Sequence, residues 1–305
     1  MSDWKKYMAE NDAYAQGLAQ RPHKTYQVDP YVLVFEDEDH SNVKHFYFDA
    51  HRKGASAWMH LIEGEDRALL IDTAFGIGDL KGLVREITDK PLDVVVTHFH
   101  GDHSQGNGQF DRVHCHKFDA PYLRRQFAPD AKPMLPADSF YRQEDIVPQG
   151  GYELVEIEGG YRFPLGPGHT VEVIHMPGHA AGGIMLLDNS TGMLFSGDAV
   201  LSTPTLVLSR FPAPYYPEYL TISAFRDALR AFLPRLGEVS GLYPGHGILK
   251  TEPGILKDML DCCESMIAAP EEFEHYDYVP DPDQDRIKCV GRAMVVYSPD
   301  RISVS

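Results

Sequence analysis

Leu92-Asp93-Val94-Val95-Val96-Thr97-His98-Phe99-His100-Gly101-Asp102-His103 decides the reading of this chain: an apolar run passes directly into four metal-type side chains held within six residues. The β-branched run predicts a buried strand. A ligand cluster at the end of such a strand is rigid on one side and open on the other. Imidazole and carboxylate together suit zinc, iron or manganese.

Three further candidates sit in similar settings: His179 in Met176-Pro177-Gly178-His179, Asp198 in Phe195-Ser196-Gly197-Asp198, and His246 in Tyr243-Pro244-Gly245-His246. Each lies where an apolar run gives way to Gly or Pro, so that a strand ends and the next side chain can turn toward a shared mouth. Five histidines and two aspartates make seven ligands. One ion takes three or four, so seven imply two ions sharing a bridge. His114 and His116 alternate along a short strand with no acidic partner following and are read as structural. Gly76, Gly78 and Gly82 do not have the G-x-G-x-x-G spacing of a dinucleotide loop.

The order H-x-H-x-D-H, then H, D and H, resembles the signature of the metallo-β-lactamase-fold hydrolase superfamily, from about Ala57 to Gly247. The resemblance implies that His98, His100 and His179 hold one ion, that Asp102, His103 and His246 hold the other, and that Asp198 bridges them. A carboxylate at 198 is similar to the glyoxalase II-like, lactonase-like, arylsulfatase-like and phosphodiesterase-like branches. The best-known β-lactamase subclass carries cysteine there.

The chain has 305 residues, long enough for a large core, and 28 Lys and Arg against 45 Asp and Glu give a formal charge of −17. That balance repels phosphate backbones and anionic lipid, so neither nucleic acid nor a membrane is expected as partner. Met1-Ser2-Asp3-Trp4-Lys5-Lys6 lacks an apolar signal core and the protein is expected to be cytoplasmic. The four cysteines make no disulfide framework.

A single domain over 1–305 is expected. Trp4, Tyr7, Met8, Ala15 and Leu18 predict an N-terminal helix over about 3–19. Glu36-Asp37-Glu38-Asp39 reads as a solvated turn. Ser56–Ile62 and Arg67–Asp72 read as a hairpin, and Leu80, Leu83, Val84 and Ile87 as an amphipathic helix before the ligand-bearing strand. Seven prolines mark 117–168 as a loop-rich insertion. Strands then lead to His179, Asp198 and His246, with a helix carrying Ile222, Phe225, Leu229, Phe232 and Leu233 between the last two. A helix over Ile255–Ile267 and strands over Ile287–Tyr297 and Arg301–Val304 complete the pattern. Strands feed helices in both halves, which predicts an α/β, four-layer αββα sandwich with two mixed β-sheets face to face and helices outside. The family resemblance implies the same fold.

Two divalent ions, zinc first and iron or manganese otherwise, would lower the pKa of a shared water toward about 7. The expected reaction is attack of that bridging hydroxide on the carbonyl of a small lactone, thioester, ester or amide. Asp102 would carry a proton to the leaving group, and Asp72, at the end of the neighbouring strand, would orient a ligand histidine or its loop. Specificity is expected from a lid loop over 201–220, where Arg210, Phe211, Tyr215 and Tyr216 are the candidate substrate-binding residues. The alternatives are an iron-dependent sulfur dioxygenase-type oxidoreductase and a phosphodiesterase on the same metal site. A homo-oligomer is compatible with these features.

Overall fold

A computed structural model describes residues 3–49, 56–126, 135, 141–148, 150–209, 214–277 and 286–303. The chain divides into two compact units, one of Gln16–Val173 with Asp188–Thr191, the other of Met1–Ala15, Ile174–Leu187 and Gly192–Ser305.

In chain order the regular elements begin with helix α1 (Asp3–Leu18), followed by strands β1 (Lys24–Tyr26), β2 (Asp29–Glu36), β3 (Val43–Phe48), β4 (Ala57–Glu63) and β5 (Ala68–Ile71). Next come α2 (Leu80–Ile87), β6 (Leu92–Val95), the one-turn α3 (Gly101–Ser104), β7 (Arg112–His116), α4 (Ala120–Gln126), β8 (Glu153–Ile157), β9 (Arg162–Gly166) and β10 (His169–His175). The chain ends with β11 (Ile184–Asp188), β12 (Met193–Gly197), β13 (Thr205–Val207), α5 (Ile222–Phe232), β14 (Gly241–Pro244), α6 (Ile255–Ala268), β15 (Glu274–His275), β16 (Arg286–Val290) and β17 (Ala293–Tyr297).

In the unit of Gln16–Val173, β1 to β8 form one eight-stranded sheet in sequence order. Pairing is antiparallel from β1 to β5 and parallel from β5 to β8. The change of sense follows from the connections. Gly64 N donates to Arg67 O at 2.8 Å and closes a tight hairpin between β4 and β5, whereas α2 is the crossover that returns the chain parallel. Asp79 caps α2 by accepting from Gly82 N at 2.8 Å. The helix buries Leu80, Leu83 and Val84 against Phe46, Met59, Leu70, Val94 and Val113.

In the other unit β12 pairs antiparallel with β11 and parallel with β14, and β13-β17-β16-β15 form a second ladder. Helices α5 and α6 share a core of Phe225, Leu229, Phe232, Met259, Cys262, Cys263 and Met266. Trp4 and Met8 of α1 pack with Tyr276, Ile287, Met294 and Val296.

Three differences from the sequence reading have physical causes. Strands β1 to β3 were not expected, although the alternate residues Val32 and Val34 are buried as an edge of the core. The segment 117–168 contains α4, β8 and β9. Pro121 is tolerated in the first turn of α4, where the missing N–H has no partner to lose, and Pro164 in β9, the terminal strand of its ladder. Arg301–Val304 was expected as a strand. Pro299–Arg301 is a 3₁₀ turn instead, consistent with proline opening a helical turn, and residue 304 lies outside the described residues. Among the described residues no helix is long and apolar enough to cross a membrane.

Candidate metal centre

Among the described residues, the side chains able to hold a metal ion are His98, His100, Asp102, His103, His179, Asp198 and His246. Four lie in one unit and three in the other.

Strand β6 delivers the first four. Its neighbour β5 ends at Ile71, and the next residue, Asp72, turns at φ 66° with its N–H on Val95 O at 2.9 Å. A left-handed φ is uncommon for a residue with a Cβ. Here it aims a buried carboxylate across the end of β6. Asp72 Oδ1 accepts from Thr97 N at 2.6 Å, and Oδ2 accepts from Thr97 Oγ1 and from His103 Nδ1, both at 2.8 Å.

These bonds fix two tautomers. His103 spends its Nδ1–H on Asp72, which leaves the Nε2 lone pair outward. Thr97 has one hydroxyl proton and gives it to Asp72, so at 3.1 Å from His98 Nδ1 it accepts, leaving His98 Nε2 as the lone-pair atom. That Nε2 stands 3.1 Å from His100 Nδ1. The turn of α3 sets His103 inward and fully buried, with Asp102 beside it, Oδ2 3.9 Å from His103 Nε2. Asp119 accepts from Phe99 N at 2.9 Å and Gln126 Nε2 donates to Phe99 O at 2.8 Å, so the backbone between the two first histidines is gripped from behind.

The other three ligand-type residues converge in their own unit. Gly178, at φ 136°, lets the chain turn after β10; a Cβ there would lie 2.7 Å from Phe225 Cβ. His179 Nδ1 donates to Leu206 O at 2.7 Å and presents Nε2. Parallel pairing of β12 with β14 brings Asp198 and His246 out side by side, and Gly245 N on Gly197 O at 2.8 Å ties the two turns. Asp198 Oδ2 is 3.6 Å from His179 Nε2 and 3.4 Å from His246 Nε2. Two donors on one tetrahedral ion at zinc bond lengths stand about 3.4 Å apart. The residues therefore fit divalent ions by donor chemistry, tautomer and spacing.

The cysteines are poorly suited to act as nucleophiles. All four thiols are unpaired with one another, and burial pushes Cys115 and Cys263 well up and Cys262 and Cys289 up to about 12, so thiolate is scarce at neutral pH.

The family model of the metallo-beta-lactamase superfamily matches residues 53–272. The chain belongs to the metallo-β-lactamase superfamily. Among solved structures, it is similar to the DIM-1 metallo-β-lactamase exposed to ceftazidime, with a TM-score of 0.54 at 18% identity over 78% of this chain and 98% of that one. A metallo-β-lactamase from Erythrobacter litoralis with β-mercaptoethanol in its active site gives 0.53 at 14% identity, over 80% and 100%. These likenesses show the fold, and the expected α/β architecture is borne out. Curated relatives include the acyl-coenzyme A thioesterase MBLAC2 of Bos taurus, 32% identical over 51% of this chain and 61% of that protein. The atrochrysone carboxyl ACP thioesterase nsrC of Aspergillus novofumigatus is 27% identical over 47% and 38%. The chain thus spans about three fifths of the length of the MBLAC2 proteins it matches.

Of the residues expected to meet substrate, Tyr216 is exposed and left-handed at φ 53°, and Tyr215 is partly buried at the entry to α5. Arg210 and Phe211 lie outside the described residues. Thr97, Asp119 and Gln126 were not singled out from sequence. The signal for Thr97 was its place between the apolar run and the first ligand; Asp119 and Gln126 reach the loop only through tertiary structure.

Proposed function

We propose that this protein is a metal-dependent hydrolase of small acyl thioesters, and that the two ligand sets together form one dinuclear centre. The observation that carries the reading is the aspartate at 198 with its Oδ2 between the Nε2 atoms of two histidines, a donor arrangement made for cations. The thioester class is favoured because two groups of relatives carry thioesterase names.

On this reading His98, His100 and His179 hold one ion, Asp102, His103 and His246 the other, and Asp198 both. When bound, two such ions, zinc foremost, would supply Lewis acidity that polarises a carbonyl and brings the pKa of water down toward about 7. The protein's part is orientation: Asp72, Thr97 and the Leu206 carbonyl hold three imidazoles in the tautomer that presents Nε2. Asp102, whose side chain is 15% exposed, would carry the proton from the attacking water to the departing sulfur as the C–S bond breaks. Tyr215 and Tyr216, in the described part of the segment 201–220, would cover the acyl group.

Purified protein assayed for metal content and against acyl-CoA, lactone and phosphodiester substrates tests the reading. Thioester hydrolysis that disappears on chelation and returns with Zn²⁺ is expected. Turnover of the phosphodiester alone, or oxygen uptake with a thiol, would overturn it.

A further inference from the structure

Helix α1 presents Trp4, Tyr7, Met8 and Asn11 on one stripe, at the i, i+3, i+4, i+7 spacing of a face that packs. The first three dock on the C-terminal hairpin: Trp4 and Met8 pack with Met294 and Val296, and Tyr7 donates its hydroxyl to Gly291 O at 3.0 Å. The fourth is an amide, only 5% exposed. A buried amide needs all its partners, and Asn11 has them. Nδ2 donates to Tyr7 O at 2.8 Å and to Ser202 O at 2.9 Å; Oδ1 accepts from Ser202 Oγ at 2.6 Å and from Ile248 N at 3.2 Å. Ile248 N also reaches Ser202 Oγ at 2.7 Å.

These bonds join the two loops that carry ligands. Ser202 follows Asp198 by four residues and Ile248 follows His246 by two. The intervening Gly247 turns at φ 80°, and a Cβ there would stand 2.3 Å from Ser202 Oγ and 2.4 Å from Asn11 Oδ1. The loop therefore closes on the amide so tightly that only glycine passes.

We infer that Asn11 is a positioning residue that sets His246 relative to Asp198, an inference that rests on the dinuclear reading above. The N-terminal helix is then part of the machinery that fixes the second ion's ligands rather than a covering element alone.

Titration of metal-free protein with Co²⁺, followed by visible absorption and by competition with a chelator, tests it without recourse to activity. Asn11→Asp keeps the side chain's size and turns its two donated bonds into an oxygen facing two carbonyls. Ser202→Ala removes the hydroxyl shared by Asn11 and Ile248. Met8→Ala loosens the same helix one turn earlier without touching either loop. The expected result is about 10- to 100-fold weaker binding of the ion held by His246 in Asn11→Asp and Ser202→Ala, a smaller effect on the other ion, which shares only Asp198 with it, and wild-type affinities with a lower Tm in Met8→Ala. Should Asn11→Asp fail to fold, Ser202→Ala decides. Wild-type affinity for both ions in the loop variants overturns the inference, as does equal weakening by Met8→Ala, which would make the helix's role one of docking only. Uptake of fewer than two ions by the unaltered protein defeats the dinuclear reading itself, and is distinguishable because no substitution is involved.

Discussion

Asp72 Oδ2 accepts a hydrogen bond from His103 Nδ1 at 2.8 Å, with the histidine fully buried and the aspartate at φ 66°. The same carboxylate holds Thr97, so one side chain controls both ends of the ligand loop. Asn tolerates a left-handed φ better than other residues with a Cβ, so Asp72→Asn preserves the turn while replacing an anionic acceptor with a neutral amide. We expect metal affinity to fall about 10- to 100-fold, with a loss of about 1–3 kcal/mol of stability because one accepting oxygen becomes an NH2 that faces the donors of Thr97 or His103. Asp72→Ala should add about 1–2 kcal/mol of destabilisation from the turn itself. Chelator competition and thermal melts on the two variants separate these effects; equal affinities in wild type and Asp72→Asn would refute the role.

Gly178 makes the turn that points His179. Its φ of 136° and the 2.7 Å approach of a Cβ to Phe225 Cβ leave no room for a side chain. Gly178→Ala should cost about 1–3 kcal/mol and lower the Tm. Because the contact is with Cβ and Cγ, which leucine keeps, α5 itself must shift to relieve the clash, and Phe225→Leu in the same chain should recover little of the loss. An unchanged Tm in Gly178→Ala would contradict the packing described.

The ligand motif was legible because its first four members are sequence neighbours, and because His179, Asp198 and His246 each follow a strand and a Gly or Pro. Local signals of that kind survive folding. What was not legible depends on distant partners: Asp119 grips Phe99 N from twenty residues away, and Asn11 reaches Ile248 across 237. Proline misled in 117–168 because its effect depends on place, harmless in a first helical turn or a terminal strand and disruptive elsewhere. Strands β1 to β3 carried a visible alternation at Val32 and Val34 that the adjacent acidic turn obscured.

Asp29 gives the fold an unusual pH response. It is fully buried at the start of β2, Oδ1 accepts from Tyr31 N at 3.1 Å, and Oδ2 has no hydrogen-bond partner among the described residues. Burial first, then the charges of Asp79 and Asp145, raise its pKa from 3.8 to about 7. A carboxyl whose folded pKa is raised binds more protons in the native state than in the unfolded one. Its contribution to stability is therefore greatest below about pH 4 and declines as pH rises to about 7, by up to about 4 kcal/mol. Asp29→Asn, which keeps the acceptor for Tyr31 N, should flatten that decline. Urea unfolding at pH 5 and pH 8 for both proteins measures it, and parallel slopes would remove Asp29 from the account.

Asp102, the proposed proton carrier, sits on α3 beside His103, 3.9 Å from Nε2, with part of its side chain open to solvent. If it delivers a proton to the leaving sulfur, its value depends on how much the leaving group needs one. An alkyl thiolate is basic and should depend on the carboxyl, whereas an aryl thiolate leaves readily unprotonated. Asp102→Asn should therefore lower kcat by about 10²- to 10⁴-fold for an alkyl thioester and much less for an aryl thioester. A ligand role alone would depress both substrates together through lost metal. Measuring kcat for the pair at matched metal content separates the two: a substrate-dependent loss supports proton delivery, and an equal loss for both confines Asp102 to holding the ion.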